Sequence, residues 1–135
     1  MAGIDPEREF AAYPEEYRAY FDHFARGEYF ECHEVLERLW LRDKNRFYQA
    51  LIQLAVALYH LGRGNSEGGR KLLTAAEEKL REYPPGHLGL DTSFLADWCA
   101  NCRAALPPDR RGGSPVPFEA PDLLRIWVTH RRTGQ

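Results

Sequence analysis

Apolar residues recur along this chain three and four positions apart, the spacing of helices that bury one face. Tyr17, Tyr20, Phe21 and Phe24 make the first stripe. The helix carrying it should open at Pro14, because the first helical position needs no N–H donor, and stop before Gly27. Over 27–65 the pattern predicts two helices, Tyr29–Leu41 and Phe47–Leu61, joined by the polar turn Arg42–Arg46. On a helical wheel, Cys32, Val35, Leu36 and Leu39 form the main apolar sector of the first, while Glu31, Glu34 and Arg38 gather on the opposite side, toward solvent. The second is apolar nearly all round, which predicts a buried helix. If the two pair antiparallel across so short a turn, the numbers of facing residues add to about 89.

Glycines in Gly62-Arg63-Gly64 then break the helix, and Asn65 or Ser66 can cap the next. That helix carries Leu72, Leu73, Ala76, Leu80 and Tyr83 on one side and stops at Pro84-Pro85. A last helix, Ser93–Leu106, is announced by Asp91-Thr92-Ser93 and ended by Pro107-Pro108. The elements describe an all-α fold: a single compact antiparallel bundle of about five helices, centred on a helical hairpin, over residues 1–106. Residues 107–135 read as a Pro/Gly-rich linker and an extended C-terminal segment. Within it Phe118 and the stretch Asp122–Thr129, with Leu123, Leu124, Ile126 and Trp127, have two courses open: folding back on the helices or forming a partner surface.

With 135 residues, 44% of them hydrophobic and 28% charged, the chain can bury one sizeable core. No apolar run is long enough to span a bilayer, and Asp5, Glu7 and Glu9 precede any hydrophobic segment, against the order of a signal peptide. A cytoplasmic protein is therefore expected. Three cysteines at irregular spacing agree with a reducing compartment. A net charge of −2 gives no drive toward nucleic acid or membrane, and neither is expected as a partner. Arg110, Arg111, Arg125, Arg131 and Arg132 make the tail locally basic, as a solvated tail would be. Homo-oligomerisation stays open, as does a small-molecule ligand of unknown identity.

Candidate chemistry is confined to polar residues set into apolar helices. Trp98-Cys99-Ala100-Asn101-Cys102 has the thioredoxin-type spacing, but it lies mid-helix, without the helix N-terminus that lowers a thiol pKa; both thiols read as core. Gly64-Asn65-Ser66-Glu67-Gly68-Gly69 follows a helix rather than a strand, so it is a turn and not a phosphate loop. The conflict lies in His33, Glu37, Gln49, Gln53 and His60. His33 and Glu37 are one turn apart, and the hairpin register sets Gln53 near Glu37, with Gln49 one step back and His60 one step farther on.

Three roles compete for these residues. They can form a satisfied hydrogen-bond network that fixes helix register. His33 and Glu37 can instead hold a divalent metal in a hydrolase with Glu34 as base; His-Glu-Val-Leu-Glu resembles the zinc motif H-E-x-x-H but lacks its second histidine. Or the aromatics Trp40, Tyr48 and Tyr59 can serve a protein–protein surface.

The run Tyr-Phe-Glu-Cys-His-Glu-Val-Leu-Glu-Arg-Leu-Trp (29–40), followed by Tyr-Gln-Ala-Leu-Ile-Gln-Leu-Ala-Val-Ala-Leu-Tyr-His (48–60) and Gly64-Asn65, resembles a family of small bacterial and archaeal helical proteins, domain of unknown function number three hundred and nine. The likeness extends over roughly 17–104. It implies antiparallel helices with His33, Glu34, Glu37, Trp40, Gln49, Gln53, His60 and Asn65 at signature positions, and it brings no established activity.

Overall fold

The computed structural model describes residues 10–107 and 114–123. Outside them lie most of the linker, the tail arginines and all but the start of the expected Asp122–Thr129 segment.

Five helices follow one another: α1 (Glu15–Ala25), α2 (Tyr29–Asp43), α3 (Arg46–Gly62), α4 (Ser66–Leu80) and α5 (Thr92–Ala104). Pro14, with an extended ψ of 145°, is the N-cap of α1 rather than its first residue. The hairpin turn is shorter than expected, only Lys44 and Asn45. Lys44 takes the left-handed conformation, φ 53°, and closes α2 by donating its N–H to the Trp40 carbonyl at 2.6 Å. Asn45 opens α3 by accepting the Phe47 N–H on Oδ1 at 2.7 Å. Asn65 caps α4 in the same way through the Gly68 N–H at 2.9 Å, and Asp91 caps α5 through the Phe94 N–H at 3.1 Å. α4 stops at Leu80, three residues before Tyr83, whose ring leaves the helical stripe to pack against Phe47 and His87.

Each helix packs mainly on its sequence neighbour, and α3 with α4 most extensively. α3 is the central element, with Leu51, Leu54, Leu58 and Leu61 fully buried. Phe30 of α2 meets Tyr59 of α3 at 5.8 Å between ring centres, which is the expected antiparallel register. α1 closes the hairpin from behind with Tyr17, Tyr20, Phe21 and Phe24. Its two phenols are hydrogen-bonded to backbone: Tyr20 donates to the buried Leu51 carbonyl at 2.7 Å and Tyr17 to the carbonyl of partly buried Leu88 at 2.9 Å. α5 is tied to α4 by ions as well as by core residues, with Glu77 accepting from Arg103 at 2.6 Å and Arg81 at 2.9 Å. Burial would push the Glu77 carboxyl up, but these two guanidinium groups outweigh it and hold its pKa below the ordinary value.

Past Pro107 the chain returns to the helices. Val116 and Leu123 are core residues, and the Val116 N–H donates to the Leu61 carbonyl in the last turn of α3 at 2.8 Å. Phe118 packs on Tyr29.

Candidate functional site

α2 brings His33 and Glu37 together because they are one helical turn apart, and His33 Nε2 meets Glu37 Oε2 at 2.6 Å. Their side chains are 31% and 39% exposed, so the pair is partly open to solvent rather than in the core. Phe30, 48% exposed, lies edge-on to the His33 ring at 5.9 Å. Glu34 is exposed, on the side where the wheel sets it.

Gln53 does not join them. Among the described residues no hydrogen bond links it to His33 or Glu37, and its Oε1 is buried without a partner. Gln49, one turn back, is half-buried. The expected His33, Glu37 and Gln53 constellation is therefore one pair and one separate carboxamide. Nor do any three His, Cys, Asp or Glu side chains among the described residues stand where they could share a metal ion.

His60 and Asn65 form a second cluster, where α3 ends and α4 begins. The Asn65 N–H donates to the His60 carbonyl at 2.9 Å, and its side chain faces the same residue, Nδ2 to Nδ1 at 3.4 Å. Because Asn65 Oδ1 accepts the Gly68 N–H, Nδ2 is the end left for the ring. His60 Nδ1 is then the acceptor and Nε2 carries the proton. This corner forms one wall of a cleft of about 590 Å³, which Tyr59, Arg63 and Lys71 also line, with Glu67 and Gly68. Arg63 lies over the Tyr59 ring at 5.4 Å and donates to its hydroxyl at 3.3 Å. Lys71 pairs with Glu67 at 3.4 Å.

Sequence reasoning passed over Arg63 and Lys71, because a charge at a helix end looks like any solvated charge. The one available signal was their position on either side of the glycine turn, at the end of α3 and in the second turn of α4.

The cysteines are core residues. Burial pushes the Cys32 and Cys99 thiols up to about 12 and raises Cys102 as well, the reverse of the activation a redox pair needs.

Residues 17–72 match the model of the family described as a domain of unknown function (DUF309), the family that the two motifs resemble. Over 95 residues, 63% of the chain, it is 46% identical to the uncharacterized protein YpuF of Bacillus subtilis (strain 168). Over 69 residues, 48% of the chain, it is 29% identical to an uncharacterized protein of Aquifex aeolicus (strain VF5). The aligned region spans 53% of the first relative and 21% of the second. No solved structure matches the chain significantly. Among the described residues no helix is long and apolar enough to cross a membrane.

Proposed function

We propose that this chain, with its DUF309 segment at 17–72, is a binding module whose small-molecule site is the cleft at the α3–α4 corner. The observation that carries this reading is the cleft itself, into which His60 and Asn65 converge with Tyr59, Arg63 and Lys71. Its volume is in the range of ligand sites, roughly 300–1,000 Å³. His60 and Asn65 have a double task here, since the bonds that hold the corner also orient their free polar atoms. The free thiols of Cys32, Cys99 and Cys102 support work in a reducing cell interior.

The test is a change in backbone amide NMR signals of the full chain, titrated with a panel of neutral, cationic and anionic metabolites. Changes confined to 59–71 uphold the site. A panel that moves none of these signals sinks it.

A second reading rests on a different observation. Phe30 and Leu41 keep 48% and 54% of their surface exposed on α2, beside the half-exposed His33–Glu37 pair. A protein partner or a second copy of the chain would cover that face. Sedimentation of the parent beside Phe30→Glu decides between them: association lost in the variant supports the surface, and a parent that stays monomeric removes self-association.

A further inference from the structure

The charge and shape of the corner cleft say what class of ligand suits it. Among the described residues no carboxylate pairs with the Arg63 guanidinium, whose contacts are the phenol and ring of Tyr59. Lys71, its side chain 76% exposed, pairs with Glu67 at 3.4 Å. Two cations thus line the cleft beside one carboxylate, which leaves an excess of positive charge for an anion. The donors reach it from three directions. Arg63 comes from the C-cap of α3, Lys71 from the second turn of α4, and His60, which also lines the cleft, from the last turn of α3. A planar carboxylate is served by a single guanidinium fork, whereas donors spread around a turn match the three oxygens of a tetrahedral group.

The backbone of the α4 N-terminus plays little direct part. Asn65 already engages the Gly68 N–H through Oδ1 and the Gly69 N–H through its carbonyl. With these two amides taken, the charged side chains are the donors offered to a ligand. The cleft is also larger than a bare phosphate requires, and Tyr59 is among the residues that line it.

We infer that the α3–α4 cleft binds the phosphoryl group of a small phosphorylated molecule, with Arg63, Lys71 and the His60 Nε2–H on its oxygens and the organic part against Tyr59. The inference rests on the ligand-binding reading above and narrows it to one class.

The experiment is an amide-signal titration of the full chain with inorganic phosphate, adenosine monophosphate, adenosine and acetate, repeated on Arg63→Gln/Lys71→Gln. Both positions are exposed, and a helical spectrum and melt matching the parent confirm that the variant folds. Phosphate and the monophosphate should shift signals across 59–71, with binding weakened by salt and Kd raised at least tenfold in the double variant. Tighter binding of the monophosphate supports a phosphomonoester with its organic part against Tyr59; equal affinity for the two overturns that part of the assignment. If adenosine binds as tightly as its monophosphate, or if another member of the metabolite panel fills the cleft while neither phosphate compound does, the phosphoryl assignment is overturned and the ligand-binding reading stands. If nothing perturbs these residues, both fall. Phosphate binding unchanged in the double variant also overturns the assignment.

Discussion

Gln53 keeps a carboxamide oxygen inside the hairpin with no donor to meet it. Such an unmade hydrogen bond costs about 1–3 kcal/mol. Gln53→Leu preserves most of the volume and removes the orphan, so the urea midpoint should rise, by roughly 1 kcal/mol of stability. A lower midpoint would show that the oxygen is engaged after all. The buried thiols and phenols set the alkaline limit. Cys32 and Cys99 ionise near 12 in the fold, against 9.0 for a free thiol, and Tyr17 and Tyr20 are held well above 10.0. Burial is the main cause in each case. Above pH 9 the unfolded chain therefore binds fewer protons than the native one, so stability is complete below that pH and falls as pH climbs toward 12. Urea midpoints at pH 8 and pH 10.5 should show the loss, and a flat profile would contradict the burial of these groups. For the same reason Cys32 and Cys99 should resist iodoacetamide at pH 8 until denaturant is added.

At the level of elements, the α3–α4 contact depends on a residue that has no side chain. A Cβ on Gly69 would run into the Leu61 side chain and lie 3.4 Å from the Ala57 carbonyl oxygen, whereas one on Gly62 meets nothing within 4 Å. Both glycines are helical, so alanine gains up to about 1 kcal/mol of intrinsic preference at either site. Gly62→Ala should keep that gain. Gly69→Ala should lose it to overpacking and finish about 1–2 kcal/mol less stable, read as a drop in melting temperature. If the two variants melt alike, the helices are not in close contact there.

Helix existence, order and pairing are legible in the sequence because periodicity and caps are local; of the two caps offered before α4 it is Asn65 that acts, and of the run Asp91-Thr92-Ser93 it is Asp91, one residue earlier than the expected start of α5 allows. The hairpin turn was drawn too long because the Asn45 cap went unrecognised, and α4 was drawn too long because the apolar Tyr83 fits the helical stripe it actually leaves. The candidate site was less legible. The wheel located Glu34 and the His33–Glu37 pair, but the cleft arises where two helix ends meet in space, and no periodic pattern carries that.

Across the whole molecule, the bundle is completed by chain that is not helical. Val116 and Leu123 are 3% and 2% exposed, and burying side chains of this kind contributes about 1.5–3 kcal/mol each. A chain lacking residues 114–135 should therefore lose roughly 3–6 kcal/mol and melt well below the parent. Equal melting would mean that the return contributes nothing. This return also differs in kind from the packing of consecutive helices. Contacts between consecutive helices close short loops, and architectures built from them assemble in microseconds to milliseconds. The bond from Val116 to Leu61 closes a loop of more than fifty residues, and the Tyr17 bond to Leu88 a still longer one, so both are larger entropic steps than the contacts between consecutive helices. Because no helix of the described residues carries Val116, the returning segment should act as a latch on the bundle, held by few bonds of its own. By the same logic it is the first part to open, and the Val116 amide should exchange its hydrogen sooner than those of α3 beneath it.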